Sequence, residues 1–256
     1  NQGALGGALY NGSTASLRGC TLSANVATAG GGIYNSCGSC ISTLDNCTLS
    51  GNRATDKGGG IYNRFGGAEL RHVTLAGNVA PGGGPAVYQN TGSPYPGAEF
   101  RNCLLTSGGA RSVAGVSSNL KDEGGNLDTF GDVGTTGDPL LEPLADNGGP
   151  TRTHALARGS AALDLGIPAN QLATDQRGEA RPLDGDGDSF AEPDAGAFEA
   201  DGVPPPPMPD IEVGPVDIDF GLVPLGTTSS PVIVTLRNTG SLALNLSGIA
   251  VDETTF

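Results

Sequence analysis

Apolar and polar positions along the first 105 residues alternate in short bursts, and the bursts recur. Leu9, Ile33, Ile61 and Val87 form one apolar column, each followed directly by a tyrosine: Tyr10, Tyr34, Tyr62 and Tyr88. A second burst sets Cys20, Cys47, Val73 and Cys103 two residues ahead of Leu22, Leu49, Leu75 and Leu105, with Thr21, Thr48, Thr74 and Leu104 between them. Residues two apart on a strand share a face. The first and third columns are therefore predicted on one face and the threonines on the other. The tyrosines lie 24, 28 and 26 residues apart, within the range that marks a solenoid. Helical spacing is not sustained in this region. The pattern predicts coils of three short strands stacked in parallel, a β-helix.

Polar residues keep the same register. "GGGIYN" occurs at Gly30–Asn35 and Gly58–Asn63, with looser copies "GGALYN" at Gly6–Asn11 and "GGGPAVYQN" at Gly82–Asn90. Glycine lets the backbone bend tightly ahead of each strand. Asn25, Asn52 and Asn78 form one asparagine column, and Asn11, Asn35, Asn63 and Asn90 a second. Stacked amides can hydrogen-bond from coil to coil, and asparagine tolerates the left-handed conformation of a corner. Arg18, Asp45, Arg71 and Arg101 are expected on an outward face as a charge ladder, with Glu69 and Glu99 nearby. Exposed pairs of this kind contribute only about 0–1 kcal/mol each.

Composition narrows the partners. Forty-three glycines without a three-residue period exclude collagen. A formal charge of −14 argues against nucleic acid as a partner, since phosphate contacts need clustered Lys and Arg. No run approaches the roughly 18 apolar residues of a membrane span, and no basic-then-apolar export signal is present. Five cysteines leave one unpaired. "CGSC" at Cys37–Cys40 could be a zinc half-site, a redox pair or a loop disulfide. With no second CxxC and no βαβ context, a Cys37–Cys40 disulfide is favoured, free thiols being the alternative.

These coils resemble bacterial surface proteins with a right-handed parallel β-helix, of the pectate-lyase-like and polymorphic outer-membrane-protein type. "DPLLEPLADNGGPTRTHALARGSAALDLG" (Asp138–Gly166), "TDQRGEARP" (Thr174–Pro182) and "PDAGAFE" (Pro193–Glu199) resemble the end of choice-of-anchor Q domains. The resemblance covers about residues 1–200. It implies an exported protein, secreted or at the cell surface, whose C-terminal attachment varies, and it implies no catalytic activity.

"GVPPPPMPD" (Gly202–Asp210) reads as a stiff linker. Beyond it, alternation through Val232, Val234 and Leu236, and again through Leu242, Leu244 and Leu246, around a turn at Asn238–Gly240, predicts a hairpin. This part resembles the opening of an immunoglobulin-like domain of the abnormal-spindle/Hydin or choice-of-anchor D type. The expected fold is all-β: a right-handed parallel β-helix over residues 1–201, a linker over 202–210, and a partial immunoglobulin-like β-sandwich over 211–256. An uncapped first coil and half a sandwich together suggest head-to-tail self-assembly, with strand donation as one route.

Candidate chemistry is sparse. "DGDGD" brings Asp184, Asp186 and Asp188 to alternating positions, with Glu192 and Asp194 close by. Oxygen ligands at this spacing can wrap calcium, the one cofactor considered. The EF-hand pattern fails at Ser189 and Ala195, and a solvated acidic turn is the competing reading. Arg177 and Arg181 could pair with these acids instead. Asp45 and Glu69 are the one plausible carboxylate pair for glycan cleavage in the regular coils. The tyrosine stripe, Tyr10, Tyr34, Tyr62 and Tyr88, could contact glycans, although stacking on its neighbours is sufficient reason for it. His72 is expected on the outward strand face. His154 sits in "TRTHAL", and neither histidine has an obvious Ser or Cys partner. The preferred reading is a non-enzymatic surface or filament module that associates with itself. A carbohydrate-active β-helix enzyme and a carbohydrate-binding adhesin are the alternatives.

Overall fold

In a computed structural model of the chain, the described residues are 2–38, 40–90, 97–107, 111–115, 120–202, 211–214, 226–229 and 231–238. They contain no α-helix, and no helix among them is long and apolar enough to cross a membrane. The chain divides into two units, Asn1–Gly202 and Val203–Phe256.

The first unit is a parallel β-solenoid of about four turns. Each turn visits three sheets. One holds Gln2–Leu5, Val26–Ala29 and Arg53–Lys57. A second stacks Leu9–Asn11, Ile33–Asn35, Ile61–Asn63, Val87–Gln89 and Val113–Gly115. The third and longest is built on Ile41–Ser50 and Gly67–Ala76, flanked by Ala15–Arg18 and Thr21–Ser23 on one side. Ala98–Arg101, Leu104–Leu105, Lys121–Asp122 and Leu127–Asp128 complete it on the other.

In-register pairing puts Leu44 beside Leu70, Leu49 beside Leu75 and Ile33 beside Ile61. Their side chains fill the interior with Cys47, Val73, Phe100, Cys103 and Leu105, all fully buried. Each such aliphatic side chain contributes about 1.5–3 kcal/mol of burial. In the long strands the alternation resets once. Asn46, His72 and Asn102 take left-handed φ values of 49°, 49° and 51°, so that Leu44 and Cys47, three residues apart, both face inward.

The glycines of "GGGIYN" sit where successive coils touch. A Cβ on Gly31 would lie 2.5 Å from Gly59 O, and one on Gly59 would lie 2.6 Å from Pro85 O. Any side chain there would force the coils apart, so this column is glycine for reasons of space as well as curvature.

Residues 138–200 form no regular sheet. They run as an irregular strap along the outer side of the long sheet, tied by isolated bridges such as Leu141 with Leu156 and Thr174 with Ala180. This strap changes the expected role of the threonine column. The threonines do point out of the solenoid, yet Thr48 and Thr74 are buried beneath the strap. Leu104, where the column turns apolar, packs with Leu127, Ala162 and Ala195 in a second small core.

In the second unit, Ile211–Gly214 pairs antiparallel with Thr235–Asn238. Val232 and Val234 precede that strand and are exposed. The expected partner strand at Leu242–Leu246 lies outside the described residues, as does the linker from residue 203 to 210. No sandwich is seen among the described residues.

Candidate functional site

The outward face of the long sheet divides at the left-handed corner into an open half and a covered half. On the open half, Asp45 is held by Arg71 through Nε (2.8 Å) and Nη2 (2.7 Å), and by Arg18 at 3.2 Å. The next coils continue with Arg101 donating to Glu99 at 3.0 Å and Lys121 pairing with Glu99. The Lys121 ammonium holds the Glu99 carboxyl below its ordinary range. The expected charge ladder is therefore built of hydrogen bonds. Asp45 is largely buried, with both oxygens committed to arginine. Glu69 lies beside Thr43 and Glu99 in the ladder. An acid or base role for Asp45 would first require breaking three hydrogen bonds from two guanidinium groups.

On the covered half, the strap takes up the threonines one by one. Thr21 donates to Arg152 O at 2.5 Å. Thr48 donates to Gln176 Oε1 at 2.7 Å, and Gln176 Nε2 returns to Thr21 (2.8 Å) and Thr151 (2.9 Å). Ala197 N donates to Thr74 at 2.9 Å. His72 is also buried under the strap, hydrogen-bonded through Nε2 to Asn102 at 3.1 Å, rather than on an open face. Burial, followed by the nearby Arg181 charge, pushes its imidazole down to about 2, so it stays neutral.

The strap is pinned by a buried ion pair. Arg181 reaches Glu199 at 2.6 Å and donates to the carbonyls of Asp194 and Gly196 at 3.0 and 2.8 Å. Arg177 pairs with Asp175 at 2.8 Å and lies over the Phe198 ring at 3.7 Å. Both arginines thus pair with acids, but not with those of "DGDGD".

That acidic turn is partly rearranged from expectation. Asp184 and Asp186 come together, joined by Asp164, with one oxygen of each within 4.8 Å of the others. Asp188 is outside this group. Asp194 turns into the strap, where its oxygens accept from the amides of Asp164 (2.9 Å) and Ala200 (2.6 Å). Its side chain is fully buried, and burial together with Glu199 raises its carboxyl to about 8. The donor set of the three-acid group suits calcium by type. Its oxygens, however, already accept the loop's amides: Gly185, Asp186 and Glu192 on Asp164, Gly187 and Ser189 on Asp184.

Cys37 and Cys40 are disulfide-bonded, while Cys20, Cys47 and Cys103 are free thiols. Burial pushes the Cys47 and Cys103 thiols up to about 12, which removes them as nucleophiles. The four tyrosines stack at 5.5, 5.0 and 5.4 Å between ring centroids. Both faces of Tyr34 and Tyr62 are thereby covered by neighbouring rings, and a sugar stacking on a ring needs a free face. Lys57 caps Tyr88 at 5.0 Å.

The asparagine ladders form with one substitution of residue. Asn25, Asn52 and Asn78 link at 2.9 and 3.0 Å. The other ladder runs Asn11, Asn35, Asn63 and then Gln89, at 2.9, 2.7 and 3.0 Å. Asn90, expected in that place, lies one residue past it and bonds Arg64 O. The stacked tyrosines set the register, so the residue directly after Tyr88 takes the slot.

His154 has a serine partner after all. Its Nε2 lies 2.9 Å from Ser50 Oγ, and its Nδ1 lies 2.8 Å from Glu142 O. The repeat places Ser50 in an outward column, but nothing local in the sequence names a partner 104 residues away.

Comparison with family models, with curated proteins and with solved structures finds no match to this chain.

Proposed function

We propose that this chain is a non-enzymatic structural module of a secreted or cell-surface bacterial protein, a stiff spacer rather than a catalyst. The observation that carries this reading is the strap: a segment of about 60 residues is spent covering a strand face and locking successive coils to one another. The ionisable groups support it. Asp45 is held by Arg71 and Arg18, Glu199 by Arg181 and Asp175 by Arg177, and His72 is neutral and enclosed. The resemblance to choice-of-anchor Q domains adds export and surface attachment to the proposal.

Three measurements test it. Polyuronates and neutral glycans, with and without calcium, are expected to be left intact by the purified chain; turnover that Asp45→Ala abolishes would favour the carbohydrate-active reading. External protease applied to intact producing cells is expected to remove the chain; complete protection until lysis would place it elsewhere. Self-association belongs to the same proposal, and concentration-dependent light scattering reads it directly.

A further inference from the structure

We propose that Ser50 is an acyl-accepting nucleophile, with His154 as its general base and the Glu142 carbonyl fixing the base's orientation. This goes beyond the spacer reading and does not depend on it. A carbonyl oxygen only accepts, so at 2.8 Å from Glu142 O the Nδ1 of His154 must carry the proton. Nε2 is then a bare lone pair, and the 2.9 Å contact with Ser50 Oγ is a hydrogen bond donated by the hydroxyl. That is the tautomer a general base needs, held by a third group. Burial lowers the His154 imidazole below its ordinary value, so it is unprotonated at neutral pH.

The pair faces a recess open to solvent, walled by Gly51, Ala76, Gly77, Thr106, Leu141 and Glu142. Glu142 supplies the charged side chain of that wall. Gly51 and Gly77 have no atom within 4 Å of where a Cβ would stand, so the space beside Ser50 is free. Ala76 pairs with Ser50 on the next coil, and its small side chain leaves room for a short acyl chain.

The amides beside the serine define the substrate class. Gly51 N donates to Ala76 O at 2.9 Å and Asn52 N to Asn78 Oδ1 at 2.9 Å. These N–H groups are committed and form no oxyanion hole, the feature that lets serine hydrolases attack unactivated esters and amides. The reaction this site supports is therefore acceptance of a short acyl group from an activated donor, an aryl ester or a thioester. Ser50 Oγ bonds to the acyl carbon and its proton passes to His154 Nε2. The C–O or C–S bond of the donor breaks, and the departing phenolate or thiolate takes the proton from His154. Water lacks the same stabilisation on the way out, so the serine ester persists.

The test is incubation of the whole chain with p-nitrophenyl acetate, followed by peptide mass spectrometry and by the rate of nitrophenol release. The expected result is one acetyl group on Ser50, released phenol stopping near one equivalent, loss of the label in Ser50→Ala, and a slowing of about 100-fold or more in His154→Gln. Circular dichroism of both variants confirms that the fold is kept. Ser50→Cys, which retains a nucleophile beside His154, is expected to label at least as fast. Absence of acetyl on Ser50, labelling indifferent to His154→Gln, or sustained turnover, with nitrophenol release continuing well past one equivalent, would each overturn the assignment. The first two outcomes leave the spacer reading standing; sustained turnover would overturn that as well.

Discussion

Thr48 and Gln176 lie 128 residues apart and share a 2.7 Å hydrogen bond in a place from which water is excluded. Gln176 also bonds Thr21 and Thr151, so one side chain joins two coils to two points of the strap. Burying a hydroxyl without its partner costs about 1–3 kcal/mol. Gln176→Ala strands Thr48, while Thr21 keeps its bond to Arg152 O, and should lower stability to urea by about 1–3 kcal/mol. Limited proteolysis of the variant should cut first within residues 138–200. Cleavage spread evenly over the coils would mean that the strap is not what Gln176 holds.

The ladder assignment separates two adjacent residues. Gln89→Ala removes the acceptor of the buried Asn63 amide and should cost about 1–3 kcal/mol. Asn90→Ala removes only a contact with Arg64 O at the surface and should cost about 0.5 kcal/mol or less. Thermal melts of the two variants decide it; equal losses would contradict the register.

Two glycines of the repeat should respond very differently to alanine. Gly59 meets Pro85 O and the Val79 backbone below 3.0 Å, so Gly59→Ala should cost about 3 kcal/mol or more. Gly51 has open space around it and only its φ of 61° to resist a side chain, so Gly51→Ala should cost about 1–2 kcal/mol. Urea midpoints of the pair test whether spacing between coils, rather than curvature alone, demands the glycine column.

Stability should pass through a plateau in mild acid. Asp194, raised to about 8 from 3.8, keeps its proton in the folded chain and loses it on unfolding, so its contribution is full below about pH 4 and is lost as pH rises through 8. His72, lowered to about 2 from 6.5, stays neutral in the folded chain while the unfolded chain protonates below pH 6.5. Its contribution is therefore lost as pH falls from 6.5. Between about pH 4 and 6.5 the two cancel. Above that window, up to about pH 8, and again below it, these two groups together contribute a fall of one proton's linkage, about 1.4 kcal/mol per pH unit. Urea titrations across pH read the profile, and Asp194→Asn should flatten the alkaline limb. An alkaline limb unchanged by that substitution would assign it to another group.

The solenoid was legible in the sequence because each coil repeats the environment of the last. Two-residue alternation sends Leu49 and Leu75 inward, and parallel stacking places like on like, so Tyr34 meets Tyr62 and Asn52 meets Asn78. Such information is local and periodic, and it survives without knowledge of the whole. The strap's contacts are neither. Whether Thr48 faces water or Gln176, whether Asp194 joins the acidic turn or hides beneath it, and whether His154 has a serine depend on one aperiodic segment settling against coils written more than a hundred residues earlier. The sequence by itself determined the rungs. Only tertiary packing decided which of their outward faces would be covered, because burial there comes from a distant, non-repeating partner.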